Sequence, residues 1–271
     1  MGAQPGADPG QRTRLLGSVG LSRLWGPVAG TAVSGRLSWR VARLAGIREE
    51  TPTARTLLLD VPGWPGHLAG QHVDVRLTAE DGYTAERSYS LASADDGERL
   101  ELTVQRIDDG EVSPYLTEVF SVGDPVELRG PIGGWFVWRP ASTAPVLLVA
   151  GGSGIVPLMA MIRARRAAGS RAPFRLLYSV RAPEEIYYAA ELRDAALSGV
   201  EVSYVYTRSA PDGWPREPRR MGIADVNSSG WPAEFGPDCF VCGPTGFVET
   251  IADILVALGH DTHKIRTERF G

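Results

Sequence analysis

The chain has 271 residues, 43% of them hydrophobic, which is enough to bury the cores of two compact domains. Its formal charge of -4 argues against the broad basic field of a nucleic-acid-binding protein, and two cysteines, Cys239 and Cys242, are too few for a disulfide framework or an ordinary iron–sulfur cluster. That cysteine usage fits a reducing compartment, no stretch approaches the ~20 apolar residues of a membrane span, and Gly17, Ser18 and Gly20 dilute the apolar run at 15–21 before a signal core can form, so a cytoplasmic location is expected.

Residues 1–35 are rich in Gly, Pro, Ala and Arg without a sustained period, and are expected to form a flexible N-terminal tail. Residues 36–139 carry a period of two. Val73, Val75 and Leu77 alternate with His72, Asp74 and Arg76, and Leu100, Leu102 and Val104 alternate with Glu101, Thr103 and Gln105, the pattern of half-buried antiparallel strands. Turn signals such as Pro62-Gly63, Asp81-Gly82 and Asp96-Gly97 separate them, and a Greek-key β-barrel closes such a set. One short helix is expected at 113–120, entered through Pro114.

From 140 to 271 the grammar becomes strand, helix, strand, helix. A continuous apolar run at 146–150 precedes Ile155, Leu158, Met159 and Ile162 at helical spacing; strands are expected at 174–180 and 200–206 with a helix at 183–197 between them. A strand over 239–242 is followed by a helical stripe of Phe247, Ile251, Ile254, Leu255 and Leu258. These are βα units of an α/β parallel-sheet domain.

Two signatures stand in order along this frame. Alternation places Arg87 and Tyr89 of Arg87-Ser88-Tyr89-Ser90 on one strand face, so a guanidinium for a pyrophosphate lies beside a ring that can stack on an isoalloxazine. An ordinary barrel strand with a surface arginine is the other reading of those four residues. Residues 108–113 lead into the short helix, where free amides and the Ser113 hydroxyl could hold phosphate oxygens, or Ser113 could simply cap the helix. Later, Gly151-Gly152-Ser153-Gly154 joins a buried strand to a helix with Pro157 in its first turn, a place where backbone can approach a second phosphate-bearing ligand, although the spacing is not G-x-G-x-x-G and a ligand-free tight turn is also open. Cys239 and Cys242 lie three apart on a strand and point to opposite faces, which disfavours pairing; Cys242, ahead of Gly243-Pro244, ends its strand where open α/β sheets place ligands, and a small buried hydrophobe is its other reading. His67, His72, His260 and His263 read as surface histidines, and no metal site is expected.

Taken together and in this order, the motifs over residues 37–271 resemble the ferredoxin–NADP reductase superfamily. The resemblance implies a flavin-binding barrel followed by a nicotinamide-nucleotide domain, with FAD, and NADPH or NADH, as cofactors. It implies that Arg87 binds the pyrophosphate, Tyr89 lies against the isoalloxazine and Ser90 bonds near flavin N5, with Ser88 in the same strand; Gly110, Val112 and Ser113 are similar to the second flavin-phosphate segment, and Val104 and Gln105 join the flavin-side candidates. Gly130-Pro131 resembles the family's barrel-closing turn. Gly152, Ser153, Gly154 and Pro157 resemble the pyridine-nucleotide loop, Cys242, Gly243 and Pro244 the segment bordering the nicotinamide, and Glu268 at the end Glu268-Arg269-Phe270-Gly271 a residue that positions or protonates the redox centre. Ser90, Cys242 and Glu268 are thus the catalytic candidates. Thr207 and Arg208, with Arg181, Arg219 and Arg220, resemble a basic pocket for a 2′-phosphate. The implied activity is an NAD(P)H reductase passing electrons to a separate acceptor protein, a ferredoxin or an oxygenase; a reductase of free flavin, or a non-catalytic flavin-bearing subunit, are the alternatives.

Overall fold

The computed structural model describes residues 37–270; the expected tail lies outside them. Six antiparallel strands come first: β1 (Trp39–Thr51), β2 (Ala54–Asp60), β3 (His72–Thr78), β4 (Thr84–Ser90), β5 (Arg99–Gln105) and β6 (Pro125–Ile132), in the spatial order β4-β3-β6-β1-β2-β5. An antiparallel bridge between Leu91 and Leu102, and the Ala92 N–H donating to the Glu101 carbonyl at 2.8 Å, bring the two edges together and close the barrel. Gly130-Pro131 is not the closing turn; it lies inside β6, which pairs with β1 and β3. Alternate residues fill the barrel, among them Leu57, Leu59, Val73, Val75, Leu100, Leu102 and Leu128. The short helix arises where expected, with a helical turn at Tyr115–Val119 that plugs one end through Leu116.

The second half holds five parallel strands, β7 (Val146–Gly151), β8 (Phe174–Val180), β9 (Val200–Tyr206), β10 (Asp238–Pro244) and β11 (Ile265–Phe270), ordered β11-β10-β7-β8-β9. Helices α1 (Ile155–Ala167), α2 (Ala189–Leu197), α3 (Ile223–Ser229) and α4 (Thr245–Ala257) accompany them, and none of the described helices is long and apolar enough to cross a membrane. β7 is apolar throughout because both its faces are covered: Val146, Leu148 and Ala150 join the core shared with α1 and with Ala92, Phe136 and Trp138 of the first half, whereas Leu147 and Val149 join the core under α3 and α4.

β11 and α3 are not among the expected elements, and two expected elements differ in detail. The helix expected at 183–197 begins only at Ala189, because Tyr188 adopts the left-handed region at φ 57 and breaks the run. β5 alternates as expected except at Thr103, which lies on the expected outer face yet is covered, its hydroxyl hydrogen-bonding that of Tyr188.

Candidate flavin and coenzyme cleft

The strand end at Ser90, the loop 107–113 and the last residues of β11 converge on a cleft of about 390 Å³. The barrel contributes Arg87, Ser88, Tyr89, Ser90, Gln105, Gly110, Val112 and Ser113, and the parallel-sheet half contributes Ser153, Val156, Arg269 and Phe270. The two signatures, some sixty residues apart in sequence, therefore meet at one opening.

Arg87 faces this cleft and is held by Glu111, its Nη2 donating to Oε2 at 2.8 Å, while the Tyr83 hydroxyl donates to the other oxygen at 3.0 Å. Tyr89 is half-buried against the barrel core, and burial, offset in part by Arg87, pushes its phenol up to about 12, so it stays a neutral aromatic surface. Ser88 is spent on structure, donating to Asp74 at 2.7 Å. Gly110 packs tightly in the loop: a Cβ there would stand 2.9 Å from the Ser113 Oγ and 3.0 Å from the Ile107 carbonyl oxygen. Ser113 does not cap the helical turn; its oxygen accepts from the Ile107 N–H at 3.1 Å and ties the loop into shape. Val104 points into the barrel core and offers the cleft no side chain, because inward and outward positions alternate along β5.

The three catalytic candidates come together where the halves meet. The Ser90 hydroxyl donates to Glu268 Oε1 at 3.0 Å, and Glu268 is the register partner of Cys242 in the parallel pairing of β10 and β11. Burial raises the Glu268 carboxyl to about 7, with the Ser90 bond pulling the other way. The Cys242 thiol, fully buried, is pushed well above its usual value by burial and by Glu268, so it is no thiolate nucleophile. Cys239 faces the opposite core, as the strand spacing requires.

Gly154 crosses directly over β10. A Cβ there would sit 2.1 Å from the Cys242 carbonyl oxygen and 2.7 Å from the Gly243 nitrogen, so only glycine allows this approach. Gly152 instead needs glycine for its φ of 54 and faces open space. Pro157 is buried in the first turn of α1, and Gly243 and Pro244 end β10; none of these three lines the cleft.

The basic group is partly dispersed. Thr207 and Arg208 donate backbone N–H groups to Val180 and Arg181, each at 2.9 Å, which joins the ends of β8 and β9. Arg219 belongs elsewhere: with Arg216 it grips Asp225, whose carboxyl, though burial opposes ionisation, is held below the usual carboxylate range by bonds from Arg219 and the Gly222 N–H. Arg181 lies 4.0 Å from Glu185, whereas Arg208 and Arg220 are exposed and ion-paired to no carboxylate among the described residues. Two histidines correct the surface reading. His67 is buried, accepting from Trp64 Nε1 at 3.2 Å and bonding the Ser93 carbonyl at 3.0 Å, and His260 is buried beside Cys239.

Sequence reasoning missed Thr103, Glu111, Val156 and, as cleft-lining groups, Arg269 and Phe270. Only the terminal pair carried a signal, since an aromatic next to a cation at a strand end suits a ligand rim. The donors present fit a flavin with a phosphate tail: a guanidinium, hydroxyls, a neutral ring and a glycine loop opening a helical turn.

Two family models match the chain, an oxidoreductase FAD-binding domain over residues 47–137 and an oxidoreductase NAD-binding domain over residues 148–253. The chain is 33% identical over 243 residues to ferredoxin–NADP reductase B of Sorangium cellulosum, covering 84% of this chain and 96% of that one. It is 36% identical over 174 residues to methane monooxygenase component C of Methylosinus trichosporium, 63% of this chain but 48% of that longer protein. Its fold superimposes on the FAD/NAD-binding domain of a nitric oxide dioxygenase from Vibrio cholerae with a TM-score of 0.77 and 27% identity, covering 86% of this chain and 98% of the other.

Proposed function

We propose, from the premise that the chain belongs to the ferredoxin–NADP reductase superfamily and is an oxidoreductase acting on NAD(P)H with FAD, that residues 36–139 hold the flavin, residues 140–271 hold NADPH in preference to NADH, and the electrons leave to a separate ferredoxin or oxygenase. FAD, when bound, would supply the redox chemistry that links a two-electron hydride donor to one-electron acceptors.

The chain's own residues bind, orient and carry protons. Arg87 and the amides of 110–113 neutralise the phosphate tail, which requires Arg87 to exchange Glu111 for phosphate. Tyr89 presents its face to the flavin ring, and Gly152, Ser153 and Gly154 bring the coenzyme's backbone-bound phosphates to the start of α1. The observation that carries the reading is the Ser90 to Glu268 hydrogen bond: one hydroxyl from the barrel and one carboxyl from the parallel sheet form a two-member proton path at the meeting of both ligand sites. A carboxyl near pKa 7 can both hold and release a proton there.

Anaerobic titration of the purified protein with NADPH and NADH tests this, with the flavin absorbance as readout. NADPH should bleach the flavin at the lower concentration, and absence of bleaching by either coenzyme overturns the proposal. Arg208→Ala should cut the preference for NADPH about tenfold or more, the worth of one charge-assisted hydrogen bond; an unchanged preference would mean that the 2′-phosphate is not read at Arg208. Arg87→Ala should weaken flavin retention by about ten- to a hundredfold on the same scale, as measured by equilibrium dialysis.

A further inference from the structure

The halves of this protein are joined by a buried polar cluster that touches the cleft at Thr103 alone among its members. Arg163, on α1, is 8% exposed, and its Nη1 donates to the Ala92 carbonyl at 2.9 Å and to Glu101 at 2.8 Å. Its Nε donates to Glu191 of α2 at 2.9 Å, with Nη2 on the same carboxylate. The Arg163 guanidinium also stands 5.0 Å over the ring of Tyr188. Tyr188, 3% exposed, is the one described non-glycine residue with positive φ, and both its donors reach into the barrel: its N–H donates to Glu50 at 2.9 Å and its hydroxyl bonds Thr103. Thr103 in turn lies 2.7 Å from Thr56, which donates to Glu50 at 2.7 Å.

Three features separate this cluster from ordinary packing. A buried arginine network is a poor way to gain stability, since apolar residues of similar volume do as well or better, and its best-attested use is to fix register. A strained backbone persists only where its surroundings over-determine it, and Tyr188 is pinned through N–H, ring and hydroxyl. The cluster also ends at catalytic geometry: Ala92 follows Ser90 by two residues, Thr103 lines the cleft, and Arg163 belongs to the helix whose first turn follows Gly154.

We propose that Arg163 and Tyr188 are positioning residues that lock the barrel onto the parallel sheet and so set the alignment of the coenzyme loop with Ser90. The inference rests on the function proposed above for its kinetic consequence, but not for its structural one. Tyr188→Phe keeps the ring and removes the hydroxyl; Arg163→Lys keeps the charge and loses the fork. Hydride transfer, followed as the rate of anaerobic flavin reduction at saturating NADPH, should fall about ten- to a hundredfold in Tyr188→Phe, the scale of a displacement near 1 Å, while the dissociation constants of flavin and NADPH stay within about twofold. Hydrogen exchange of the purified protein, which needs no turnover, should quicken at 90–92, 152–156 and 265–268 and remain unchanged in β2 and β8.

A normal reduction rate together with exchange that rises everywhere would reduce the cluster to general stabilisation and overturn the proposal, as would lost coenzyme binding with an intact hydride step. Should Tyr188→Phe not fold, Arg163→Lys carries the same two measurements, with the same results expected and the same results overturning the lock. A wild-type protein that NADPH cannot bleach would sink the proposed function and leave the exchange result to decide the lock.

Discussion

Gly154→Ala should cost about 3 kcal/mol of stability, the upper part of the range for forced overpacking, and lower the thermal midpoint by roughly 10 °C for a chain of this size. The added methyl would meet the Cys242 carbonyl oxygen at 2.1 Å and its carbon at 2.4 Å, and these are backbone atoms in a strand paired on both sides, so neither can swing away. Relief must come from lifting the 152–154 turn off β10, which carries the start of α1 away from Ser90. NADPH-driven flavin bleaching should therefore slow about a hundredfold. Flavin content should be unchanged, because Arg87, Tyr89 and Gly110 stand on the barrel. For stability alone Gly152→Ala is the comparison: its Cβ meets open space, and only the left-handed φ of 54 is penalised, by about 1–2 kcal/mol. A Gly154→Ala protein with the wild-type midpoint and bleaching rate would mean that the turn and β10 are not in contact.

The division of the fold was legible where one strand's pattern answers to one environment. β7 reads as a buried strand because five successive apolar residues can only serve a sheet covered on both faces, and 174–180 and 200–206 are found at their expected limits. What escaped are features made by distant chain meeting distant chain. β11, with the sequence IRTERF, looks like a solvated end until it pairs with β10, and that pairing is what brings Glu268 beside Cys242. Thr103 occupies a position that alternation assigns to solvent; the second half covers it, and nothing within β5 announces that cover. Tyr188 interrupts a helical pattern because the barrel captures its N–H and hydroxyl, a tertiary demand that overrides local propensity. The burial of His67 is hidden for the same reason, since a histidine with both ring nitrogens bonded is as buried as its partners allow. Several residues that line the cleft stand out in the sequence by their chemistry, and the arginines of 216–220 show the limit of such reading. A cation near a strand end serves a ligand or a neighbouring carboxylate alike, and Asp225 takes Arg219.

Glu268→Gln should remove a pH dependence of stability and a pH limb of turnover together. In the folded protein the Glu268 carboxyl titrates near 7, because burial disfavours its charge more than the Ser90 hydroxyl favours it, against an ordinary value of 4.5. Between these values the native state keeps the proton and the unfolded chain has lost it. Stability from this group is thus fully present below pH 4.5, declines as pH rises toward 7, and is gone above it, a change of about 3 kcal/mol. The glutamine variant keeps an acceptor for Ser90 but binds no proton. Subtracting its denaturation free energies from those of the wild type at each pH isolates the effect from His67 and His260, whose lowered values act in the opposite sense. The difference should fall with pH over that window, leaving the variant more stable than the wild type above pH 7. Turnover with a one-electron acceptor should drop about a hundredfold, the lower end of what a positioned acid–base group contributes, and lose its midpoint near 7. If instead the two proteins share one stability profile, Glu268 is ionised in the folded state; if they share one turnover profile, the proton departs by another path and Ser90 with Glu268 serves only to hold the two sheets together.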